Sequence, residues 1–390
     1  MKHTWRPVQL LLLLCGLSLV TGGCWSASDV DGKGYVNVLG IDFKDGQFIA
    51  YAQMMDFSSV AKSESGGKSG SNPTNYVGRG IGKSLNNATD DLYRSSQVQL
   101  NWGQMSTLIV TESALKAKGF KIIDMINRYP EVRYNTWLYV TKESIEDLVM
   151  VNSLFKLSTL YTILHEPRPN YSQYSILPPV TMFKYVASFN EDAKSAYLPC
   201  IGLIKDQWKQ SDKKLPMPAF KGAYFQKPNG DTAFLNWQQL NGLHWMQKDM
   251  KRAPLLVSKD GVDYANLNIG RPKVKIKPIL KGDSVTFNIT VKLTGSLYEY
   301  NEPIAYKDMA EIAQDIVAKQ IMKVYKEGFK KGIDIFSLGQ VLRHKHPSAW
   351  HRLSKDGNQL VIDANSIEKI EVKIAIPYNG KYKRITSPSR

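Results

Sequence analysis

The chain has 390 residues, of which 43% are hydrophobic and 22% charged, and its formal net charge at pH 7 is +16. This composition is typical of a folded globular protein and excludes a disordered or low-complexity chain. The positive charge favours anionic surroundings such as phospholipid headgroups or wall polymers. No zinc-finger spacing or arginine-rich arm accompanies it, so we expect no nucleic-acid partner.

The first 23 residues have the parts of an export signal. Two basic residues precede an apolar run at 8–20, and small residues follow it up to Cys24. This order is typical of a secretory signal peptide, and the run is shorter than the roughly 20 residues that span a bilayer. Small residues ending at a cysteine resemble a bacterial lipobox, although Thr21 stands where leucine is usual. We predict a lipoprotein signal peptide at 1–23 and lipidation of Cys24. The alternative is a secreted soluble protein with a free Cys24 thiol.

Removal of the signal leaves few cysteines. Cys15 leaves with it, and if Cys24 is lipidated, Cys200 stands alone and no intrachain disulfide can form. The exported protein must then be held together by its hydrophobic cores. Apolar neighbours predict that Cys200 is a small buried residue rather than a reactive thiol. The segment 1–23 carries two basic residues and no acid, so the net charge falls from +16 to +14.

An N-terminal α/β domain is predicted over 24–195. Its first two strands flank a hairpin turn at Asp45-Gly46, and a flexible loop rich in serine and glycine follows at 62–75. Ser144 and Asp147 have the spacing of a capping box and predict the start of a helix. The remaining elements are predicted as helices at 81–95, 112–128 and 144–161, with strands at 35–42, 47–55, 105–110 and 134–140.

Two further units complete the predicted α+β fold of three consecutive mixed α/β domains. Short strand candidates predict a small β-rich middle domain at 196–260. In the C-terminal domain, 261–390, strict apolar alternation over 285–293 predicts a half-buried strand. Apolar residues at steps of three and four over 309–324 predict a long helix with one packed face. The last domain is therefore expected to be a sheet covered by one long helix.

Motifs for chemistry are incomplete in this sequence. The segment 78–84 is rich in glycine and ends in Lys83-Ser84, but Val77 stands where a phosphate loop needs its first glycine. We interpret the segment as the glycine-rich entry to a helix. His344, His346 and His351 lie among basic residues, which favours a basic surface over a zinc site. We therefore predict no catalytic residue, no metal site and no cofactor.

Four groups of residues follow one another along the chain. They are Cys24-Trp25 with 38–42, then 124–133, then 222–225 with 242–245, and last 334–339 with Pro347 and Trp350. Together these groups resemble the Ger(x)C family. Two residues depart from its pattern: Ser26, where the family usually has an acid after Cys-Trp, and Ser337, where it has a glycine.

The resemblance implies the C subunit of a bacterial spore nutrient-germinant receptor, which is not an enzyme. Such a subunit would carry N-palmitoyl and S-diacylglycerol groups on Cys24 and lie on the outer face of the spore inner membrane. Its implied partners are the polytopic A subunit and the integral-membrane B subunit, together with the membrane itself. Two alternatives remain at this point: an exported basic module that binds the cell wall, and a hydrolase that acts on the spore cortex.

Overall fold

The computed structural model describes residues 33–55, 75–151, 153–228 and 230–378.

The first sheet is built around four parallel strands. In the first sheet the order is β3-β2-β1-β5-β6-β7-β8-β9, with β4 paired to the start of β1, and β1, β5, β6 and β7 run parallel. The strands are β1 (Lys33–Lys44), β2 (Gln47–Met55), β3 (Asn75–Gly82), β4 (Gln99–Asn101), β5 (Thr107–Thr111), β6 (Trp137–Thr141), β7 (Tyr197–Gln210), β8 (Lys213–Gln226) and β9 (Thr232–Asn236).

Packing on both faces buries the centre of this sheet. Every residue of β5 is buried, and its neighbours in sequence point to different cores, Leu108 and Val110 to one and Ile109 to the other. Such continuous burial is expected of parallel strands covered on both sides. The helices are α1 (Leu85–Tyr93), α2 (Glu112–Lys118), α3 (Lys121–Asn127), α4 (Ile145–Val149), α5 (Arg168–Gln173) and α6 (Met182–Phe189), with 3₁₀ turns at Leu154–Lys156, Thr159–Tyr161 and Leu243–Met246.

The second sheet has four strands and one covered face. Its order is β10-β11-β12-β13, and β12 and β13 run parallel while the other pairs are antiparallel. Helix α7 buries one side of each turn from Met309 to Val324 against it, as the apolar spacing predicts. The elements are β10 (Ala253–Lys259), β11 (Val262–Lys281), β12 (Ser284–Tyr300), α7 (Tyr306–Lys330), α8 (Leu338–Lys345), α9 (Pro347–Ser354) and β13 (Ile367–Tyr378).

A shared apolar cluster joins the two sheets. Val324 of α7 and Ile333 after it pack with Phe225 of β8, Leu235 of β9 and Leu243 of the following 3₁₀ turn. These residues are at most 2% exposed. The end of the long helix therefore packs against the first sheet as well as the second.

The mixed α/β fold and the long helix over the last sheet are confirmed. The segment 196–260 does form strands, but β7, β8 and β9 extend the first sheet and β10 joins the second. The three domain boundaries themselves stay a prediction. The predicted signal at 1–23, Cys24, and the loop residues 62–74 lie outside the described residues.

Three predicted helices differ from the observed ones for local reasons. Residues 75–82 are a strand, so the helix expected from 81 begins only at Leu85. The helix expected at 112–128 is divided at Gly119, whose φ of +62° ends α2. Ser144 does cap α4 by accepting a hydrogen bond from the Asp147 N–H at 3.3 Å, but this helix ends at Val149.

Candidate functional site

The cysteine that the structure describes is buried. Cys200 lies in β7, is 2% exposed and belongs to the main core of the first sheet. Burial raises the pKa of its thiol to about 12, so the thiol is protonated at neutral pH and is a poor nucleophile. The prediction of a small buried apolar residue is confirmed. Cys24, the predicted lipidation site, lies outside the described residues, and its modification stays a prediction.

The glycines of the segment 78–84 allow strand β3 to pack closely against helix α1. Gly80 and Gly82 lie in β3 directly beneath α1. A Cβ added at Gly80 would stand 2.2 Å from the carbonyl oxygen of Ala88, and one added at Gly82 would stand 2.4 Å from the backbone nitrogen of Ala88. Ser84 then caps α1 by accepting a hydrogen bond from the Asn87 N–H at 3.1 Å. The interpretation as a helix entry is therefore wrong for 78–82, because the glycines allow a strand and a helix to approach closely.

Two of the three C-terminal histidines, His344 and His351, each contact a different acid. His344 Nε2 lies 3.3 Å from a Glu191 carboxylate oxygen, and His351 Nδ1 lies 2.9 Å from Asp356. Within the described ranges, no group of three histidine, cysteine, aspartate or glutamate side chains could hold a metal ion. The same residues also contain no helix that is both long and apolar enough to cross a membrane.

A serine also contacts a buried histidine, and no sequence pattern predicted this contact. Ser106 Oγ lies 2.6 Å from His165 Nδ1, and burial lowers the pKa of His165 to about 4, so its ring is neutral at pH 7. Its Nε2 is buried without a hydrogen-bond partner among the described residues. A nucleophilic pair needs a third group that orients the base, and here that nitrogen has none. Because the two residues are distant in sequence, no local pattern signals the contact.

The segment 242–245, part of the family resemblance, lies between the first sheet and α7. Gly242 has a φ of +119°, and an added Cβ would stand 2.7 Å from the Gln320 carbonyl oxygen. Trp245 Nε1 donates a hydrogen bond to the Gln320 side chain at 2.7 Å. His244 is 1% exposed, and burial lowers its pKa to about 3. This motif therefore packs the two parts of the molecule together.

The segment 334–339 also has a structural role. Asp334 is 4% exposed, and its Oδ2 accepts a hydrogen bond from the Gly339 N–H at 2.7 Å, at the start of α8. Burial raises its pKa to about 6, although nearby backbone N–H groups oppose the shift. Ser337 has φ +53° and ψ +44°, a left-handed conformation that favours glycine. The structure thus explains why a glycine suits this position.

A strongly charged surface is the open side of the second sheet. We call it the lysine face and define it by nine outward residues from the middle of β11, β12 and β13. These are Lys273, Lys275, Lys277, Asn288, Thr290, Lys292, Lys369, Glu371 and Lys373. Six lysines of this set stand against one glutamate, and at its edge Glu368 pairs with Lys281 and accepts a hydrogen bond from Thr286. The intervening residues, such as Val274 and Val291, point to the opposite side and pack in the core beneath α7.

Strand pairing aligns the lysines into rows. Lys273 is the direct partner of Lys292, and Lys292 is the direct partner of Lys373, so three lysines stand side by side across three strands. A second row of lysine, asparagine and lysine is formed by Lys277, Asn288 and Lys369. Like charges placed directly opposite one another destabilise a sheet, so this arrangement opposes folding.

The single acid of the lysine face neutralises only part of this charge. Glu371 lies 2.8 Å from Lys373 Nζ. The hydrogen bond from Lys373 and the charges of Lys373, Lys369 and Lys292 hold the pKa of Glu371 below its usual range. In the part of the chain that the structure describes, no ion pair forms at the other five lysines, which leaves them free to bind an anion.

A cleft opens at one end of the lysine face. It has a volume of about 710 Å³ and is lined by cationic side chains together with Thr294, Gln314 and the apolar residues Leu293, Ile374 and Ala375. A β-bulge between Gly270 and Lys273 places Arg271 at its rim with a φ of +54°. The cationic residues in its lining are Arg271, Lys273, Lys292 and Lys373. An alternation of lysine at 273, 275 and 277 was the sequence signal for this surface, which the sequence analysis missed.

The chain is similar to known proteins over most of its length. A relative, the spore germination protein YndF of Bacillus subtilis (strain 168), is 20% identical over 403 residues, which cover 95% of this chain and 96% of the relative. The crystal structure of the GerBC protein resembles this fold with a TM-score of 0.53 at 16% identity. The match covers 87% of this chain and 96% of the GerBC chain.

Two family models divide the chain between them. The model of the spore germination protein N-terminal domain matches residues 26–203. The model of the spore germination B3/GerAC-like C-terminal region matches residues 221–379. The chain therefore belongs to the GerAC-like family of spore germination proteins.

Proposed function

We propose that this protein is a non-enzymatic, lipid-anchored subunit of a nutrient-germinant receptor and is needed for spore germination. It would lie on the outer face of the spore inner membrane and work with the A and B membrane subunits. The observation that carries the proposal is the match of two spore germination family models to residues 26–203 and 221–379.

The anchor in this proposal is Cys24. Its support is the order of basic, apolar and small residues that precedes it in the sequence. A diacylglyceryl group carries two acyl chains, and two lipid chains are what stable anchoring requires. The subunit would thus be held beside its membrane-embedded partners by its lipid.

The Cys24→Ala substitution tests the anchor. We expect the variant to lose incorporation of labelled palmitate, to leave the membrane fraction of spores, and to slow germination in response to nutrients. Cys15→Ala is the matched control, because Cys15 lies within the predicted signal and should be removed with it. Unchanged labelling, fractionation and germination in the Cys24→Ala variant would show that the chain is not anchored there.

The partners are tested separately. Cross-linking in intact spores should join the chain to the A and B subunits, and deletion of either subunit should remove the cross-linked product. Purified protein should leave spore cortex intact in a digestion assay. Release of cortex fragments would favour the hydrolase alternative and contradict the non-enzymatic role.

A further inference from the structure

The lysine face has a charge arrangement that costs folding stability. Lys273, Lys292 and Lys373 are direct neighbours on three strands, and like charges in such positions repel. Glu371 is the single acid among its residues, and it pairs with Lys373. A layer of anions placed over the face would remove the repulsion, so the free charge points to an anionic binding partner.

The geometry of the lysine face fits an extended anionic surface. Neighbouring strands lie about 4.8 Å apart and outward residues of one strand about 7 Å apart. The six lysines therefore occupy an area of about 10 by 14 Å. The opposite side of the sheet is covered by α7 and cannot bind a partner. The open side is a sheet surface with charges spread in two dimensions rather than gathered around one point.

The kind of cation also limits the partner. All six cations of the face are lysines, and the neighbouring arginine is Arg271 at the rim of the cleft. Lysine presents a compact charge on a flexible stem, whereas arginine presents a planar fork that matches one carboxylate or phosphate in a fixed geometry. Lysines thus suit many mobile anions better than a single oriented one. Phospholipid headgroups are a two-dimensional array of mobile phosphate groups, and clusters of four to eight basic residues are typical of binding to anionic lipid.

We propose that the lysine face lies flat against an anionic phospholipid membrane and binds the phosphates of its headgroups. The proposal deepens the proposed function and rests on it for the presence of a nearby membrane. The acyl chains on Cys24 would hold one point of the protein at the bilayer, and the lysine face would set its orientation. The face itself needs no acyl chain, so its binding can be measured without the anchor.

Vesicle binding provides the test. The chain from residue 24 onward, with Cys24→Ser so that no lipid is attached, is sedimented with vesicles of phosphatidylglycerol and phosphatidylcholine or of phosphatidylcholine alone. Each lysine held at an anionic surface contributes about fivefold in affinity. We therefore expect the triple variant Lys273→Gln, Lys292→Gln and Lys373→Gln to bind the anionic vesicles at least tenfold more weakly. Binding should also weaken as salt is raised.

A second triple variant controls for net charge. Lys205, Lys209 and Lys214 are exposed on the hairpin of β7 and β8, and their replacement by glutamine removes the same charge from another surface. This control should bind nearly as well as the unchanged chain. The face variant should unfold at the same or a higher temperature, because three repelling charges are gone. That measurement distinguishes loss of binding from loss of fold.

Three results would overturn the proposal. They are equal binding to both kinds of vesicle, equal losses in the two triple variants, and unchanged vesicle binding in a face variant that no longer cross-links to the membrane subunits. The last would identify a protein partner for the face. Failure of the anchor is a different result, because palmitate labelling of Cys24 is independent of these lysines.

Discussion

Asp334 gives the sharpest test of the packing around α8. Its carboxylate is buried and accepts a hydrogen bond from the Gly339 N–H at 2.7 Å. Burial raises its pKa to about 6 from the ordinary 3.8. The folded protein therefore holds a proton on Asp334 between these values while the unfolded chain releases it. The stability provided by the protonated form is present below pH 3.8 and is lost as pH rises through 6.

The Asp334→Asn substitution removes this titration and keeps an oxygen that can accept the Gly339 hydrogen bond. One pKa unit corresponds to about 1.4 kcal/mol. With the two pKa values above, the free energy of unfolding of the wild type should fall by about 2 kcal/mol relative to the variant between pH 4.5 and 7.5. The buried histidines titrate in both proteins, so their contributions cancel in this difference.

Urea unfolding followed by tryptophan fluorescence measures this difference at several pH values. Asp334→Ala is the control, because it also lacks the titration but leaves the Gly339 N–H without its acceptor. It should be less stable than the Asp334→Asn variant by about 1–3 kcal/mol at every pH. A wild-type-minus-variant difference that does not change with pH would refute the reasoning, since the carboxyl would then titrate alike in the folded and unfolded chains.

Three other substitutions follow from the structure, and a fourth serves as a matched control. Ser337→Gly should raise the free energy of unfolding by about 0.5 kcal/mol, because relief of a left-handed serine exceeds the added entropy of the unfolded chain; lower stability in urea would contradict this. Because His244 is buried in its neutral form, the free energy of unfolding falls as pH drops below 6.5 and the unfolded chain takes up a proton there. The His244→Phe substitution should make this fall between pH 7 and pH 5 smaller by about 2 kcal/mol, as measured by unfolding at both pH values. Gly80→Ala should cost about 3 kcal/mol, because its Cβ meets the Ala88 carbonyl oxygen at 2.2 Å. The control Gly78→Ala should lower the stability to thermal unfolding less than Gly80→Ala does, because its added Cβ meets mainly the end of a flexible leucine side chain. Equal losses of stability in the two variants would argue against the close contact between β3 and α1.

Elements with a strong local period were predictable from the sequence. The strand around 285–293 and the long helix through 309–324 follow the spacing of their apolar residues, and both are observed in β12 and α7. Cys200 was also predictable, because its apolar neighbours indicate burial. In each of these cases the information lies within one turn of helix or a few residues of strand.

Features that depend on pairing across the chain were not predictable. The lysine face exists because register places Lys273 beside Lys292 and Lys292 beside Lys373, and a single sequence does not specify register between distant strands. The Ser106–His165 contact arises in the same way. The sequence predicts the start of α1 too early, because glycines such as Gly80 and Gly82 are unfavourable in a strand by propensity alone. In the folded protein the same glycines favour the strand, because they let it pack closely against α1.

The shared cluster of Val324, Ile333, Phe225, Leu235 and Leu243 has a consequence for how the protein unfolds. Separating the two sheets would expose apolar side chains from both at once, so neither sheet can lose this contact alone without cost. We expect heat or denaturant to give one cooperative transition, with amide protons of β8 and of the end of α7 exchanging with the same free energy of opening. A single unfolding unit of this kind would transmit a load applied at one sheet to the other without an intervening hinge.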